Sequence, residues 1–257
     1  MKQTAGNIVV ITRPLTQALP LAARVSAIGR DAVVFPLLDI QPLPEQEPLK
    51  RAMACLGRYA MVAFVSPNAI DAAFSVLDKW PPQVAIAVMG EGSRAALQRH
   101  GVTDMTSMIV SPRNAQRTDS QTLLEELDLD ALRDKEVLIV RGETGRELLA
   151  DALRAAGVKV AAVAAYRRVA PAFDQERRAR LTRLLETRND WIVTSSEALR
   201  FLAEMAERLN ESAALRRQRL IIPHERIAET ATALGFDHII LTGSGDEQLL
   251  AALQSTE

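Results

Sequence analysis

The stretch Asn7-Ile8-Val9-Val10-Ile11-Thr12 opens the part of the sequence that decides the fold. Its run of mostly β-branched residues predicts a buried strand, and residues 15 to 28 carry apolar side chains at helical spacing. Gly29 predicts the end of that helix, and residues 32 to 35 predict the next strand. A strand, a helix and a second strand in this order are typical of a parallel sheet whose strands are joined by crossover helices.

The same alternation of short apolar runs and longer helical segments continues along the chain. Further strands are predicted near residues 60 to 65, 84 to 88, 107 to 110, 136 to 140, 158 to 165, 190 to 194, 219 to 222 and 238 to 241. The chain has 257 residues, more than one domain usually holds, and 48% of them are hydrophobic, which is enough for two cores. We therefore predict an α/β protein of two domains.

The composition argues against several classes of protein. The 31 Lys and Arg nearly balance the 32 Asp and Glu, so we expect binding neither to nucleic acid nor to a membrane surface. No apolar run reaches membrane-spanning length, and the first ten residues lack the core of a signal peptide. The lone Cys55 cannot form an intramolecular disulfide, which fits a cytoplasmic location, and we predict that it is buried as a small hydrophobic residue.

The sequence also contains an internal repeat. Ile11-Thr12-Arg13-Pro14 and Ile139-Val140-Arg141-Gly142 occupy the same place in two strand-turn-helix segments, at an offset of 128 (13 to 141). Gly29 and Gly157, which are predicted to end the helices that follow, have the same offset. Residues 65 to 69 match residues 194 to 198 at an offset of 129 (66 to 195). A slowly growing offset is what small loop insertions produce in a duplicated chain, and chance similarity is the alternative.

The motifs that these turns carry appear in the order found in one known family. They are Thr12-Arg13-Pro14, Phe64-Val65-Ser66-Pro67-Asn68-Ala69, Val88-Met89-Gly90 with Ser93, Ala165-Tyr166-Arg167, Thr194-Ser195-Ser196 and Gly235-Phe236. No single motif is specific, but the ordered set covers nearly the whole chain. The chain thereby resembles the uroporphyrinogen-III synthases.

The resemblance implies two flavodoxin-like parallel-sheet domains that arose by internal duplication with exchanged halves. One domain would combine residues 1–35 with residues 172–257, and the other would hold residues 41–164. Residues 36–40 and 165–171 would then be two linkers between the domains. Two linkers restrict domain motion to opening and closing of the cleft between them.

The resemblance also implies an activity that needs neither cofactor nor metal. The substrate would be hydroxymethylbilane, a linear tetrapyrrole with eight carboxylates, and the product the cyclic isomer with its last ring inverted, formed with loss of water. Because closure without an enzyme gives the uninverted isomer, catalysis would be an orientation effect in the cleft. A transient hand-over of substrate from hydroxymethylbilane synthase and a monomeric chain are further expectations.

Helix starts at the carboxyl ends of parallel strands are suited to binding the carboxylates of such a substrate. Ser66 followed by Pro67 and Asn68 predicts an N-cap with proline at the first helical position, and Thr194-Ser195-Ser196-Glu197 predicts a capping box. These hydroxyls serve as helix caps, as carboxylate contacts, or as both, since a capped helix keeps other backbone N–H groups to donate.

Two arginines follow strands at matching positions of the repeat. Arg13 and Arg141 can each bind a carboxylate with two hydrogen bonds, and Gly142 is assigned to the site with Arg141. An ion pair across the loop is the alternative for each arginine. Weaker candidates, interpreted as solvated arginines of helix faces, are Arg146, Arg167 and Arg168.

Tyr166 is one of only two tyrosines, and it lies at a predicted strand end. A tyrosine at such a place commonly packs in a core. In the resembling family a tyrosine at this position of the motif is placed near the leaving hydroxyl, which implies hydrogen bonding or proton donation as water departs. We predict Tyr166 as the catalytic residue on that basis.

The turn Gly90-Glu91-Gly92-Ser93-Arg94-Ala95 has the form of a dinucleotide fingerprint, which leaves an NAD(P)-dependent oxidoreductase as an alternative. No acidic residue follows at the required distance, and the resemblance implies instead that Gly90 and Ser93 contact the substrate. In the second copy His224 takes the place of Gly90, either as a donor to the substrate or as a cap of the helix. His224 forms no ligand-spaced cluster with His100 or His238, so we predict no metal site. A non-catalytic two-domain binder of an anionic ligand is the remaining alternative.

Overall fold

The computed structural model describes residues 8–113, 120–145 and 147–255. Contacts between Cα atoms divide the chain into two compact units, each with its own sheet. Unit 1 consists of Met1–Asp39 and Val169–Glu257, and unit 2 consists of Ile40–Arg168. The chain therefore begins in unit 1, builds the whole of unit 2 and returns to complete unit 1.

Eleven strands form within these described ranges. They are β1 Val9–Ile11, β2 Ala32–Val34, β3 Asp39–Pro42, β4 Met61–Phe64, β5 Ala85–Val88, β6 Ile109–Val110, β7 Glu136–Gly142, β8 Lys159–Val169, β9 Asp190–Ile192, β10 Arg219–Ile222 and β11 Ile239–Leu241. Ten of them fall where the apolar runs predict strands. β3 was not predicted, because Asp39-Ile40-Gln41-Pro42 has one large apolar side chain and no apolar–polar alternation.

The helices occupy the segments of helical period between the strands. They are α1 Leu15–Ala27, α2 Glu47–Ala54, α3 Pro67–Phe74, α4 Glu91–Arg99, α5 Ser120–Leu124, α6 Leu129–Leu132, α7 Leu148–Ala155, α8 Gln175–Leu185, α9 Ser196–Glu207, α10 Ser212–Arg216, α11 Glu225–Ala233 and α12 Asp246–Gln254, with a 3₁₀ turn at Leu56–Arg58. In the part of the chain that is described, none has both the length and the apolar character that crossing a bilayer requires.

The sheet of unit 1 has the strand order β2-β1-β9-β10-β11, and all four neighbouring pairs are parallel. Counted within the unit, this is the order 2-1-3-4-5 of flavodoxin-like sheets. Trp191 on β9 is fully buried and meets the edge of Phe35 at 6.3 Å between ring centroids. Apolar residues of α8 to α11 cover this face, and α1 and α12 cover the other. The predicted α/β class with parallel sheets is confirmed.

The sheet of unit 2 has the order β3-β8-β7-β4-β5-β6, and the register of β8, β7, β4, β5 and β6 is parallel throughout. If β7 is counted as its first strand, these five strands also follow the order 2-1-3-4-5. One face packs against α2, α3 and α4, and the other against α5, α6 and α7. Both units are thus sheets covered by helices on two sides.

Two details differ from the sequence-based expectations. β8 was predicted to end near 165 but continues to Val169, because Tyr166 pairs with Gly142 of β7 across a bulge and so keeps the chain extended. The predicted burial of Cys55 is wrong. This residue is exposed, since it lies between the last residue of α2 and the 3₁₀ turn that begins at Leu56.

Candidate active site

The parallel strands of unit 2 have their carboxyl ends at one edge of the sheet, where the following helices begin. β4 ends at Phe64 and leads into α3, whose N-cap is Ser66. The Ser66 Oγ accepts a hydrogen bond from the backbone N–H of Ala69 at 3.1 Å. Pro67 takes the first helical position and Asn68 the second. The cap predicted from the sequence is confirmed.

Tyr166 is the candidate that folding brings to this helix start. It lies on β8, 100 positions from Ser66 in the sequence, and its hydroxyl oxygen is 3.0 Å from the Ser66 Oγ. Only 4% of Tyr166 is exposed, and its ring belongs to the core of unit 2. The packing role that the sequence allowed is therefore present, and the phenol has a hydrogen-bond partner in addition.

Gly142 lies next to the phenol end of the same tyrosine. It ends β7 at the bulge, opposite Tyr166 in the register. A Cβ atom at position 142 would lie 3.1 Å from the Tyr166 Cζ and 3.3 Å from its hydroxyl oxygen, closer than an ordinary van der Waals contact. Ser66, Gly142 and Tyr166 thus form one group of contacting residues centred on the phenol, which we call the Tyr166 cluster.

The two arginines of the repeat are both engaged by acidic residues. Arg141 is 14% exposed, forms an ion pair with Glu147 and donates to the backbone carbonyl of Gly145 at 3.1 Å. Arg13 is 15% exposed and its Nη1 lies 2.6 Å from the Asp246 Oδ1. Arg141 thus forms the ion pair across its loop that the sequence left as an alternative, whereas Arg13 pairs with the first residue of α12. Neither acidic partner was predicted.

The glycine turn before α4 is built from backbone contacts. Gly90 is the N-cap with φ of 155°, a conformation that favours glycine, and its carbonyl accepts the N–H of Ser93 at 3.0 Å. Ser93 is only 3% exposed. The turn follows β5 and lies at the same edge of the sheet as the helix start of Ser66.

In unit 1 the corresponding helix start is capped one residue later than predicted. The N-cap of α9 is Ser195, which accepts the N–H of Ala198 at 3.3 Å. The capping box assigned to Thr194 and Glu197 is therefore wrong, because Ala198, and not Glu197, occupies the third helical position. Thr194 is half-buried in the turn that precedes the cap.

Ser196 joins two helices of unit 1. It is 8% exposed, its Oγ accepts a hydrogen bond from the Thr230 hydroxyl at 3.1 Å, and the Thr230 hydroxyl also lies 3.0 Å from the carbonyl of Arg226. His224 is the N-cap residue of α11, and its carbonyl accepts the N–H of Ile227 at 2.9 Å. The capping role considered for its imidazole is wrong, because the side chain makes no hydrogen bond to the helix start.

The weaker arginine candidates have mixed outcomes. Arg146 lies outside the described residues. Arg167 and Arg168 are on β8 and not on helix faces as expected, because the strand runs further than predicted. The Arg167 Nη2 donates to the Gln41 side chain of β3 at 3.0 Å, and Arg168 donates to the carbonyl of Thr144 at 3.3 Å. These side chains fasten the end of β8 to neighbouring segments of unit 2.

Only part of the predicted site is therefore brought together by direct contacts. Unit 2 places Ser66, Pro67, Asn68, Gly142 and Tyr166 around one helix start, with Arg141 next to Gly142. Gly90 and Ser93 lie at a second helix start of unit 2, and Arg167 and Arg168 lie at the end of β8 in the same unit. Unit 1 carries Arg13, Thr194, Ser195, Ser196 and His224. Across the described ranges, His, Cys, Asp and Glu do not come together in groups of three that could hold a metal ion.

These observations define a class of protein. It is an α/β protein of two parallel-sheet units with the same strand order, hydroxyl-bearing helix starts in both units, and a buried tyrosine hydrogen-bonded to one of them. A family model described as "Uroporphyrinogen-III synthase HemD" matches residues 20–249. The chain belongs to the uroporphyrinogen-III synthase family.

Individual relatives match over nearly their whole length. The chain is 31% identical to the uroporphyrinogen-III synthase of Escherichia coli (strain K12) over 251 residues, which cover 96% of this chain and 99% of that protein. It is 32% identical to that of Salmonella typhimurium (strain LT2) over 253 residues, with the same two coverages.

Solved structures show the same fold. The uroporphyrinogen-III synthetase of Helicobacter pylori 26695 superposes with a TM-score of 0.64 at 14% identity, covering 98% of this chain and all of that one. A mutant uroporphyrinogen III synthase of Thermus thermophilus gives a TM-score of 0.57 at 16% identity, covering 97% of this chain and 98% of the other. At these identities the likeness concerns the fold alone.

Proposed function

We propose that this chain is a uroporphyrinogen-III synthase of porphyrin and heme biosynthesis. It cyclises hydroxymethylbilane to uroporphyrinogen III, inverting the last ring and releasing water. The observation that carries the proposal is family membership over almost the entire chain, joined to a tyrosine hydroxyl at a strand-end helix start. The tyrosine hydroxyl and the helix starts can supply the proton transfer and the carboxylate binding that the reaction requires.

The first step is loss of the hydroxyl group from the terminal CH₂OH of the substrate. The C–O bond breaks with its electron pair going to oxygen, the Tyr166 phenol supplies the proton that makes water, and the lone pair of the first pyrrole nitrogen stabilises the carbon cation. The substituted α-carbon of the last ring then attacks that carbon to give a spiro intermediate. The bond from this α-carbon to its original bridging methylene breaks and leaves the methylene as the new electrophile. The unsubstituted α-carbon of the same ring attacks the methylene and then loses its proton. The ring proton released when the pyrrole regains aromaticity restores the phenol.

Carboxylate binding is assigned to the helix starts and to the arginines beside them. α3 and α9 present backbone N–H groups at strand ends, where a helix favours negative charge. Arg141 and Arg13 extend the cationic character of the turns, and each exchanges its own acidic partner for a substrate carboxylate. Thr194, Ser195, Ser196 and His224 are proposed as contacts contributed by unit 1.

Duplication with exchanged halves is part of the same proposal. The helix-ending glycines Gly29 and Gly157 have φ of 81° and 82°, and Gly101 and Gly235 have φ of 75° and 82°. In each pair of glycines, the glycine and the residue after it donate the same backbone hydrogen bonds in both copies. Donors and acceptors are shifted by 128 positions between Gly29 and Gly157, and by 134 positions between Gly101 and Gly235. Unit 2 uses β7 and β8 where unit 1 uses β1 and β2, which is the arrangement that exchange predicts.

The cellular location and the oligomeric state belong to the same proposal. A cytoplasmic location is supported by a single cysteine in the whole chain, and Cys55 is exposed as a thiol without a partner cysteine. A hand-over of substrate from hydroxymethylbilane synthase is proposed because hydroxymethylbilane closes spontaneously once it is released. A monomeric enzyme is proposed as well.

A coupled assay tests the proposed function. Hydroxymethylbilane is generated in place by its synthase, with and without the purified chain, and the oxidised porphyrin isomers are separated chromatographically. We expect type III product to exceed type I when the chain is present. A non-catalytic anionic-ligand binder would leave the spontaneous isomer ratio unchanged, and an NAD(P)-dependent oxidoreductase would bind nicotinamide cofactor in calorimetry, which we do not expect.

A further inference from the structure

The contacts in the Tyr166 cluster distinguish residues that position Tyr166 from residues that contact the substrate, which the motifs alone do not do. Ser66 and Gly142 were both predicted to contact the substrate, yet each meets Tyr166 instead. Ser66 contacts the phenol oxygen, and Gly142 leaves free the space beside the ring carbon that carries this oxygen, which a Cβ atom would enter. We propose that Ser66 and Gly142 are positioning residues, which act on the reaction through the Tyr166 phenol. The inference rests on the proposed function, since it assigns their effect to the step that Tyr166 assists.

The hydrogen bonds of Ser66 set the direction of the phenol proton. A serine hydroxyl has one proton to donate and two lone pairs to accept. The backbone N–H of Ala69 occupies one lone pair at 3.1 Å, and this bond makes the Ser66 O–H a better donor. When Ser66 donates to the Tyr166 oxygen 3.0 Å away, the phenol proton takes no part in that bond. The phenol then points its own proton elsewhere, as transfer to a leaving hydroxyl requires.

The absence of a side chain at Gly142 sets the place of the ring. A Cβ atom there would approach the Tyr166 Cζ to 3.1 Å, and Tyr166 is almost fully buried. The ring has little space to withdraw, because it packs in the apolar core of unit 2. Alanine at position 142 would therefore displace the phenol by a few tenths of an ångström and disturb its bond to Ser66. Displacements of this order reduce the rate of a reaction that depends on alignment.

The experiment measures kcat and KM in the coupled assay for Ser66→Ala, Ser66→Thr and Gly142→Ala, each made in the wild-type chain and in the Tyr166→Phe chain. We expect Ser66→Ala to lower kcat about tenfold with KM unchanged, the loss of one hydrogen bond. Ser66→Thr keeps the hydroxyl and restores most of the rate. Gly142→Ala lowers kcat about fivefold. In the Tyr166→Phe background neither Ser66→Ala nor Gly142→Ala lowers kcat further, because no phenol remains to be positioned.

Two control variants separate positioning from general damage. Asp174 caps α8 through the N–H of Arg177 at 2.8 Å, so Asp174→Ala removes a similar cap away from the cluster. Gly57→Ala places a methyl group in open space, since no heavy atom lies within 4 Å of a Cβ there. We expect both to keep the wild-type kcat, with Asp174→Ala matching the fall in melting temperature of Ser66→Ala.

A spectroscopic measurement reports on the environment of the phenol directly, even where a variant loses activity for another reason. The chain has two tyrosines, so ¹³C-labelled tyrosine gives two Cζ resonances, and Tyr59→Phe identifies the one that belongs to Tyr166. Ser66→Ala and Gly142→Ala should shift the Tyr166 resonance and leave that of Tyr59 in place.

The outcomes against the inference are distinct from failure of the proposed function. Losses that multiply with that of Tyr166→Phe, or a rise in KM without a fall in kcat, would overturn positioning and return Ser66 and Gly142 to direct substrate contact. An unshifted Tyr166 resonance would overturn it as well. A wild-type chain that yields no excess of type III product contradicts the proposed function instead.

Discussion

The carboxyl ends of the two sheets share a serine-capped helix start, and a phenol beside it distinguishes unit 2 from unit 1. Ser66 and Ser195, at an offset of 129, cap α3 and α9 through the N–H of the third helical residue. At an offset of 128 from Tyr166, unit 1 has Leu38, which is buried and has no hydroxyl. The repeated framework thus supplies two capped helix starts, and only unit 2 adds a phenol to one of them. The comparison separates what the fold provides from what chemistry requires.

The opposite ends of the sheets differ in how charge is used. In unit 1 the fully buried Asp190 begins β9 and binds both Arg30 and Arg219, with distances of 2.7 and 2.6 Å to one carboxylate oxygen. At this end of the unit 2 sheet, Arg58 and Glu136 form an ion pair whose side chains are 57% and 33% exposed. A buried carboxylate shared by two arginines fixes its neighbours far more strongly than an exposed pair does.

The largest effect should come from breaking the buried arrangement. Asp190→Asn removes the charge that neutralises two arginines, and we expect it to lower the free energy of unfolding by about 3 kcal/mol. Urea unfolding followed by circular dichroism measures the loss. The matched control is Asp130→Asn, which breaks an exposed pair with Arg133 and should cost no more than about 0.5 kcal/mol. Equal effects of the two variants would contradict the contrast between buried and exposed charge.

Next in size is loss of the phenol that distinguishes unit 2. Tyr166→Phe keeps the packed ring and removes the hydroxyl, so we expect kcat to fall about a hundredfold without reaching zero, the range of a proton-transfer contribution. Tyr59→Phe removes the other phenol, which lies at the edge of the same core, and should keep the wild-type rate. Complete inactivity of a folded Tyr166→Phe chain that still binds substrate would show that the phenol does more than assist.

A smaller effect, on KM, is expected when the two arginines lose their acidic partners. Glu147→Gln frees Arg141 in unit 2, and Asp246→Asn frees Arg13 in unit 1. If each acidic partner competes with a substrate carboxylate, each variant should lower KM about threefold, the value of a partly exposed ion pair. Steady-state kinetics with and without about 0.3 M added salt checks the electrostatic origin, because screening should reduce the gain. A change in only one variant would confine carboxylate binding to one unit.

Much of the fold and part of the candidate site could be predicted from the sequence. The features that could not be predicted depend on contacts between distant residues. Apolar runs predict ten strands because burial leaves a compositional trace, whereas β3 is held by pairing at a sheet edge and has almost none. The Ser66 cap is local and was predicted correctly. The Ser66 contact with Tyr166 joins residues 100 positions apart and depends on which strands are neighbours. The partners of Arg13 and Arg141 likewise depend on loop geometry, which spacing does not encode.

The smallest effect expected is a pH dependence of stability that arises from the exposed pair in unit 2. The hydrogen bond that Arg58 donates to Glu136, followed by the charge of that guanidinium, holds the pKa of the Glu136 carboxyl below its ordinary value. A carboxyl whose pKa is lower in the folded chain contributes its stability at pH values above the pKa of the unfolded chain. That contribution is lost as the pH falls through the lowered pKa of the folded state.

As the pH falls below the ordinary pKa of glutamate, the melting temperature of the wild-type chain should therefore fall more steeply than that of Glu136→Gln. The variant has no carboxyl group at position 136 to protonate. Calorimetry of both chains from about pH 7 down to about pH 3 measures the difference around the ordinary glutamate value. Added salt should bring the two curves closer, because both side chains are partly exposed to solvent. Parallel curves at low salt would mean that the pair contributes nothing to holding β7 in place, and that apolar packing alone fixes this end of the unit 2 sheet.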